Sequence, residues 1–562
     1  MHYKELSHIW RELTQAGAPF ELSTIPDQFG DVRVYRHAPA TLQHLWQGAV
    51  AFGERDYLVF ENQRVTYSET AATSARIAGW LHARGVCKGD RVVIAMRNYP
   101  EWMLIFWACM SLGAIAVGFN AWWTATEMDA AVEAANPKVA FVDAERLVIL
   151  RQSRGIESIP TIVAVQLNQD REAEARNWSD ALGFAGSAPR VAIDPSDTAS
   201  IFYTSGTSGQ PKGVELTHQG CITNIFNVMF WARAQALAHA RAKGLAEASA
   251  APPPAVLLTT PLFHVTANNC GAQVATALGG KVVLMRRWDA GQALRLVATE
   301  RITTFSSVPV MARELISHPD FAATDLSSLA SIGGGGAQMQ PDLVARVDGA
   351  TECVRASTGY GMTEASGVIS SISGDFFADK PTSCGRALPT FDIKCVDDAG
   401  QSVEPGAIGE LCVRGSTVTS GYWNGALGPI DLSNQGWLHT GDLARIDGEG
   451  FIHIVDRKKD MVLRGGENVF CAEVEAAIHA HPAVRECCVF GVKDSRLGEA
   501  VAAAIVLERG AALTADDLRE FCGLRLAYYK VPAIVRFLAN PIPRNAAGKF
   551  LKRRVREDLG LA

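Results

Sequence analysis

A segment near the middle of the chain has the composition of a polyphosphate-binding loop. Residues 203–214 follow the apolar run 199–202 and combine glycines, hydroxyl side chains and one lysine. Glycine lets backbone N–H groups turn towards an anion, Ser and Thr donate hydrogen bonds, and Lys212 supplies positive charge. The segment is not of the Walker type, because Lys212 is followed by Gly213 rather than by Ser or Thr. A flexible polar loop is the alternative, and the ordered set of residue types favours phosphate binding.

A second segment, residues 359–364, carries groups suited to a nucleotide. Glycines on either side of Tyr360 permit the close approach of a flat ring, on which the tyrosine could stack. Thr363 offers a hydroxyl to a phosphate, and Glu364 offers a hard oxygen to Mg²⁺. Alone, this segment could equally be a turn with a surface acid. Its combination with the first segment favours a nucleotide site.

Two later segments each present one charged side chain from a turn. Asp442 follows a glycine turn and could accept hydrogen bonds from both ribose hydroxyls, although an ordinary Asx-turn is the alternative. Residues 543–549 form a predicted turn that presents Lys549, which could also be only a solvated charge.

The elements that must position these groups alternate between strands and helices. Apolar runs at 90–96, 138–142 and 161–165 predict strands, and a helix is expected to begin near Pro100. This alternation predicts a mostly parallel sheet with helices on its faces. Residues 102–119 carry no formal charge and imitate a membrane span. Because Gly113 splits that run, we predict a buried helix followed by a buried strand and no transmembrane segment.

Other regions differ in composition. Residues 168–194 and 234–254 are predicted to be exposed connections, the second beginning as a helix. After Gly385 short strands with glycine-rich turns indicate a β-rich region, with a hairpin turn at 447–450. A charged run at 456–460 precedes about 100 residues with a helix and strand pattern of their own, which predicts a small C-terminal domain.

Composition excludes several classes of protein. The chain has 562 residues, of which 48% are hydrophobic, so neither a single small module nor a disordered chain is expected. With 53 Lys and Arg against 59 Asp and Glu, the net charge of −6 does not suggest nucleic-acid binding. The 12 Cys are scattered without a CxxC pair, which predicts neither a zinc site nor a disulfide scaffold. The polar N-terminus lacks a signal-peptide core, and a cytoplasmic location is expected.

The four motifs, in this order and spacing, resemble the adenylate-forming superfamily of acyl-CoA synthetases, aryl-CoA ligases, nonribosomal adenylation domains and firefly luciferase. The resemblance runs from about Tyr67 to Val555, and residues 113–124 further resemble bacterial fatty-acyl-CoA synthetases. It implies an α/β fold with a large N-terminal domain, residues 1–457, built from two helix-flanked mixed sheets and a β-rich subdomain at about 385–457. A hinge at 458–460 and a small mobile α+β domain at 461–562 would complete the chain.

The resemblance also implies a reaction. A carboxylate attacks the α-phosphate of ATP and expels pyrophosphate, and CoA then takes the acyl group from the acyl-AMP. The implied substrates and cofactors are ATP, Mg²⁺, coenzyme A and a medium-chain or long-chain fatty acid or an aryl acid. Transfer to a carrier protein and a non-catalytic nucleotide-binding role are the alternatives, a membrane transporter is a more distant one, and a homodimer is left open.

The implied roles fall on positions that match the motifs. Lys549 would bridge the acyl carboxylate and the α-phosphate, Thr363 would touch the α-phosphate, and Glu364 would hold Mg²⁺. The nucleotide would be bound through its phosphates, adenine and ribose by Thr204, Ser205, Gly206, Thr207, Ser208, Gly209, Lys212, Gly335, Gly336, Ala337, Tyr360, Gly361, Asp442 and Arg457.

Further implied roles concern the acid, the thiol and the hinge. His264 would lie at the mouth of an acyl pocket, and Lys459 matches the hinge position. The pocket would be formed by Asn268, Val308, Gly333, Gly334 and Met362, and the CoA loop by Gly465, Gly466 and Glu467. Three positions depart from the pattern: Gly118 and Cys471 stand where proline is usual, and Arg464 stands where serine is usual.

Overall fold

The computed structural model describes residues 3–167, 173–205, 211–245, 252–351, 354–419, 421–423, 432–433, 435–545 and 548–561. The helices are α1 (Tyr3–Thr14), α2 (Leu42–Ala49), α3 (Tyr67–Ala83), α4 (Pro100–Leu112), α5 (Ala125–Ala135), α6 (Ala144–Leu150), α7 (Ala173–Leu182), α8 (His218–Ala242), α9 (Gln273–Ala277), α10 (Ala290–Thr299), α11 (Pro309–Ile316), α12 (Pro341–Ala350), α13 (Gly374–Asp379), α14 (Cys471–His479), α15 (Ala515–Gly523) and α16 (Lys552–Asp558).

The strands are β1 (Leu22–Ile25), β2 (Val32–Tyr35), β3 (Asp56–Phe60), β4 (Gln63–Thr66), β5 (Arg91–Ala95), β6 (Ile115–Gly118), β7 (Val139–Asp143), β8 (Thr161–Val165), β9 (Thr198–Ser205), β10 (Pro211–Thr217), β11 (Ala255–Leu258), β12 (Lys281–Leu284), β13 (Thr304–Ser307), β14 (Ser331–Gly334), β15 (Arg355–Met362), β16 (Gly367–Ser373), β17 (Gly385–Ala387), β18 (Phe391–Val396), β19 (Gly409–Gly415), β20 (Leu438–Ile446), β21 (Phe451–Arg457), β22 (Val462–Arg464), β23 (Glu467–Val469), β24 (Val484–Asp494), β25 (Gly498–Leu507) and β26 (Ile534–Phe537).

The first large sheet has six strands in the order β10-β9-β6-β5-β7-β8. All neighbours are parallel except the β9–β10 hairpin, so the three predicted strands and the parallel arrangement are confirmed. Helix α4 begins at Pro100 and ends at Leu112, and the C-cap Gly113, with a φ of 67°, terminates the helix before β6. Trp102, Phe106 and Trp107 are fully buried. The apolar run is therefore core, as predicted, and none of the described helices is both long and apolar enough to cross a membrane.

The second sheet has thirteen strands in the order β18-β19-β20-β21-β17-β16-β15-β14-β13-β11-β12-β3-β4. Strands β11 to β15 form its parallel centre, and the predicted β-rich region supplies β17 to β21. The predicted hairpin at 447–450 joins β20 to β21. Strand β17 pairs with both β16 and β21, so the β-rich region continues the large sheet at its edge.

Two predicted connections have more structure than expected. Within residues 168–194 the prediction of an exposed connection is wrong for α7, and residues 168–172 lie outside the described ranges. Trp178 packs edge-on against Phe141, and this contact fixes α7 on the first sheet. The predicted helix at 234–254 is confirmed to Ala242 as the end of α8, which begins at His218 after the N-cap Thr217. Residues 246–251 lie outside the described ranges.

The last hundred residues form a separate α+β unit. Its sheet has the order β23-β22-β25-β24, with β26 added parallel to β25. Helix α14 packs on β24, and a core of its own includes Val474, Val489 and Ile505. The predicted large N-terminal part with mixed sheets and the smaller C-terminal α+β part are both present.

Candidate active site

One cleft collects most of the residues that the sequence analysis singled out. It opens at the carboxyl ends of β13, β14 and β15, and the turn that carries Lys549 covers one side. The predicted residues that line the cleft are Thr204, Lys212, His264, Val308, Gly333, Gly334, Gly335, Gly336, Ala337, Tyr360, Gly361, Met362, Thr363, Glu364, Asp442, Arg457, Lys459 and Lys549. The fold therefore brings together side chains that are more than 300 residues apart in the chain.

The remaining predicted residues fall into three groups. Gly206, Thr207, Ser208 and Gly209 lie outside the described residues, as does the side chain of Ser205 at the end of β9. Asn268 is fully buried and does not line the cleft; its side-chain oxygen accepts a hydrogen bond from Gln273 Nε2 at 2.7 Å. Gly465 and Gly466 form an exposed turn between β22 and β23, Glu467 is the exposed first residue of β23, and none of the three lines the cleft.

The predicted adenine and ribose groups are joined by a hydrogen bond. Tyr360 Oη donates to Asp442 Oδ2 at 2.7 Å, and Arg457 Nε lies 3.5 Å from Asp442 Oδ1. Antiparallel pairing of β20 with β21 sets Asp442 opposite Arg457. Burial and the Asp442 charge raise the pKa of Tyr360 well above its usual value. The tyrosine therefore stays neutral and acts as a donor that orients the carboxylate.

The phosphate side of the cleft contains a residue that the sequence analysis missed. Thr204 and Lys212 are paired across the β9–β10 hairpin, and the Lys212 ammonium lies 4.9 Å from the centre of the Tyr422 ring. Tyr422 Oη donates to Glu364 Oε1 at 3.2 Å. Tyr422 thus connects the lysine and the acid. No spacing signal marks it, because an isolated bridge to Val214 places it there.

The chemistry of Glu364 fits a metal held mainly by phosphate. Mg²⁺ is commonly bound through one or two carboxylates together with substrate phosphates. Glu364 is half-buried in the cleft on the same side as Lys212. Within the described ranges, no group of three or more His, Cys, Asp or Glu side chains could hold a metal ion unaided.

Lys549 reaches the cleft from a tightly built turn. Its N–H donates to Asn545 Oδ1 at 2.9 Å, and Arg544 Nη1 donates to the Gly548 carbonyl at 2.9 Å. Gly548 has a φ of 76°, and a Cβ there would lie 2.8 Å from a Val308 methyl group. Only glycine therefore fits at this close approach between the turn and Val308.

The charge of Lys549 is adjusted by its surroundings. Burial lowers its pKa to about 8, and the nearby positive charge of Arg457 acts in the same direction. Asp442 and Glu364 oppose this shift by stabilising the ammonium form. Lys549 is thus a cation at neutral pH that is poised to lose its proton in mildly alkaline solution.

His264 is a neutral imidazole in the wall of the cleft. Burial lowers its pKa to about 4, and the positive charge of Lys549 contributes to this shift. Its Nε2 has no hydrogen-bond partner among the described residues. Because buried polar atoms are normally paired, this nitrogen is suited to contact a polar group of a bound molecule.

The junction between the two parts of the chain is held by a hydrogen bond to a helix terminus. The Cys471 N–H, at the start of α14, donates to the Asp456 carboxylate at the end of β21. This contact explains one departure from the family pattern, since proline at 471 would lack the donor. Lys459, between the two, lines the cleft, and burial lowers its pKa.

The other two departures also have local contacts. A Cβ at Gly118 would lie 2.9 Å from the Phe202 ring and 3.1 Å from Phe263 Cβ, which leaves room for little beyond glycine. The Arg464 guanidinium donates to the carbonyl oxygen of Tyr529 and so joins β22 to the segment before β26.

Comparison with known proteins decides the family. The AMP-binding enzyme family matches residues 45–423, and the AMP-binding enzyme C-terminal domain matches residues 473–549. The chain belongs to the AMP-binding enzyme family. The adenylate-forming superfamily predicted from the four motifs is therefore confirmed, and so is its acyl-CoA synthetase branch.

Relatives and solved structures match nearly the whole chain. Feruloyl-CoA synthase of Amycolatopsis sp is 34% identical over 88% of this chain and 94% of its own. The long-chain-fatty-acid–CoA ligase FadD13 of Mycobacterium tuberculosis is 33% identical over 88% of this chain and 93% of its own. The structure of o-succinylbenzoate CoA synthetase (MenE) from Bacillus subtilis with its acyl-adenylate OSB-AMP is 29% identical. It covers 91% of this chain and 97% of its own, with a TM-score of 0.74.

Proposed function

We propose that the chain joins a carboxylic acid to coenzyme A in two steps, through an acyl-AMP formed from ATP with release of pyrophosphate. Support comes from the relatives, which are CoA ligases for aryl and long-chain acids, and from the cleft. The observation that carries the proposal is the placement of Lys549, Asp442 and Glu364 around one cleft from both parts of the chain. Transfer to a carrier protein is not favoured by these relatives.

We propose that Tyr360, Asp442 and Arg457 bind the nucleoside. The ring of Tyr360 would stack on adenine while Asp442, held by the Tyr360 hydroxyl, accepts hydrogen bonds from the ribose. Residues 335–337 also line the cleft, and their backbone would meet the edge of the base. Residues 204–212 would surround the β- and γ-phosphates, with Lys212 supplying charge.

Lys549 has the central role in this proposal. During the first step negative charge accumulates between the attacking carboxylate and the α-phosphate. An ammonium group fixed between them stabilises that transition state more than the ground state. Thr363 would donate to the α-phosphate, and neutral His264 would contact the acid. Mg²⁺ held by Glu364 would neutralise phosphate charge when bound.

The second step requires other groups. In this arrangement Gly465, Gly466 and Glu467 are exposed and do not line the cleft. We propose that residues 461–562 rotate about Lys459, withdraw Lys549 and bring this turn to the thiol. The domains are accordingly proposed as 1–457 and 461–562 with 458–460 between them; a homodimer and a cytoplasmic location stay predictions.

A substrate screen tests the proposed function. Pyrophosphate release is measured with short, medium, long and aromatic acids, with and without CoA, and the thioester is identified by mass. We expect release that requires an acid and acyl-CoA that forms only when CoA is present. Pyrophosphate release by the Lys549→Ala variant, measured under the same conditions, serves as the background rate. ATP turnover with no dependence on any acid would contradict the proposal, and an acyl-AMP that never reaches CoA would favour another acceptor.

A further inference from the structure

One wall of the cleft, on the strands that carry the predicted acyl-pocket residues Gly333 and Gly334, is lined by hydroxyl side chains. Side chains on the buried face of a sheet are normally apolar. Strands β13, β14 and β15 are in register, so Thr304, Ser331 and Arg355 form one row on the face that lines the cleft. Ser306, Gly333 and Ser357 form the next row. The rows are two residues apart along the strands, which corresponds to about 7 Å.

The opposite face of the same strands shows the normal pattern. Phe305, Ile332 and Ala356 alternate with the hydroxyl residues and are fully buried in the apolar core. On the neighbouring strand β11, Val256 and Leu258 continue the two rows with apolar side chains. Within these two rows the hydroxyl groups therefore lie on β13, β14 and β15, and the side chains on β11 are apolar.

These hydroxyl groups have no hydrogen-bond partners among the described residues. Among the described residues, the side chains of Thr304, Ser306, Ser331 and Ser357 make no hydrogen bond, whereas Ser371 and Ser373 on β16 are bonded. The Ser357 hydroxyl leans over Gly333, where a Cβ would lie 2.9 Å from it. An unsatisfied hydroxyl group in a half-buried wall costs stability unless a ligand or water meets it.

One charged side chain, Arg355, lies in the same row as Thr304 and Ser331. Arg355 Nη1 donates to the Val354 carbonyl at 3.2 Å. Burial raises the pKa of the nearby Asp348, and the positive charge of Arg355 opposes this shift. Apart from Arg355, the two rows present only hydroxyl groups and Gly333. Oxygen atoms that exchange hydrogen bonds with these hydroxyl groups match the wall better than an unsubstituted alkyl chain does.

We propose that the acid activated by this chain carries hydroxyl or other neutral oxygen substituents, which the hydroxyl wall formed by Thr304, Ser306, Ser331 and Ser357 recognises. This inference rests on the proposed function, because it names the substrate class of the same pocket. The wall provides specificity along the body of the acid and leaves the reacting carboxylate to the groups around Lys549.

Matched pairs of acids test the wall. The ratio of kcat/KM is measured for 4-hydroxycinnamate against 4-methylcinnamate and for 8-hydroxyoctanoate against nonanoate, since each pair differs mainly in one hydroxyl group. We expect the wild-type enzyme to prefer the hydroxylated acid by on the order of 10-fold or more in the pair that fits the pocket. Thr304→Val, Ser306→Ala, Ser331→Ala and Ser357→Ala should reduce that ratio while kcat/KM for the methyl acid is kept or raised.

Ser328→Ala is the matched control, because Ser328 lies before β14 and its hydroxyl bonds to the Ile302 carbonyl. The ratio should be unchanged in this variant. Equal kcat/KM for hydroxyl and methyl acids in the wild-type enzyme would overturn the inference and leave the CoA-ligase proposal standing. Failure of every acid to support pyrophosphate release would overturn both, and the two failures are thereby distinguished.

Discussion

Two turns of the C-terminal part of the chain resemble each other in backbone and differ in surroundings. Gly548 in one turn and Gly466 in the other both have left-handed φ angles, 76° and 90°. A Cβ at Gly548 would press on Val308 at 2.8 Å, whereas a Cβ at Gly466 would meet no described atom within 4 Å. The first turn is packed into the cleft and the second is open to solvent.

This difference in packing indicates that the structure, with Lys549 in the cleft, suits adenylation rather than thioester formation. The packed turn delivers Lys549 beside Asp442 and Glu364, where charge would develop during adenylation. The open turn contains the residues that the family resemblance assigns to CoA. If both turns act on one intermediate, they must do so in succession, and variants in each should affect different steps.

The largest expected effect comes from Lys549→Ala. Loss of a preorganised charge should slow acyl-AMP formation by on the order of 10²-fold or more. Conversion of supplied acyl-AMP to acyl-CoA should be kept. Single-turnover assays of the two steps measure this separation, with Lys493→Ala, at an exposed position near the end of β24, as the control. Equal losses in both steps would remove the distinction between the two turns.

The pH dependence should also differ between the steps. Burial lowers the pKa of Lys549 to about 8, and the ammonium form is the active one. Adenylation kcat/KM should therefore fall by about tenfold per pH unit above that value, while acyl-AMP conversion lacks this decline. Lys549→Arg, which keeps its charge, should show lower activity without the alkaline decline. An unchanged decline in the arginine variant would assign the titration to another group.

Lys459→Pro should affect the second step. Proline fixes φ near −65° and would hinder the backbone change that a rotation at this residue requires. We expect adenylation to be kept and thioester formation to slow by about tenfold or more, measured in the same two assays with Lys459→Ala as the control. A normal overall rate in the proline variant would locate the hinge elsewhere.

Cys471→Pro should have the smallest effect. It removes the N–H that bonds to Asp456 and leaves a proline at the first position of α14, where helices tolerate it. Loss of this hydrogen bond should lower the stability of the junction by about 1 kcal/mol and reduce the rate of adenylation about fivefold. Cys471→Ala keeps the donor and should behave as the wild type; the same loss in the alanine variant would point to side-chain packing instead.

The features that are predicted best from the sequence are those determined by a few neighbouring residues. Tyr360, Asp442 and Lys549 lie in short motifs, and the strands at 90–96, 138–142 and 161–165 are continuous apolar runs. Their arrangement around one cleft follows from the parallel sheet, in which strand ends meet at one edge.

Features that depend on long-range pairing could not be predicted in this way. Tyr422 reaches Glu364 through contacts between distant parts of the chain, which include its bridge to Val214 and the hydrogen bond from the Thr419 N–H to the Glu364 carbonyl. The hydroxyl wall requires the register of β13 to β15, and each of its strands alone reads as a short alternating segment. Helix α7 was missed because its one anchoring aromatic, Trp178, lies in a polar stretch.

The most direct test of the central claim is a crystal structure with a non-hydrolysable acyl-adenylate mimic. We expect adenine to lie against Tyr360, the ribose hydroxyls to bond to Asp442, and Lys549 Nζ to lie within hydrogen-bond distance of the acyl or phosphate oxygens. The acyl group should point along Ser306 and Ser357. A mimic bound away from Tyr360 and Asp442 would contradict the account.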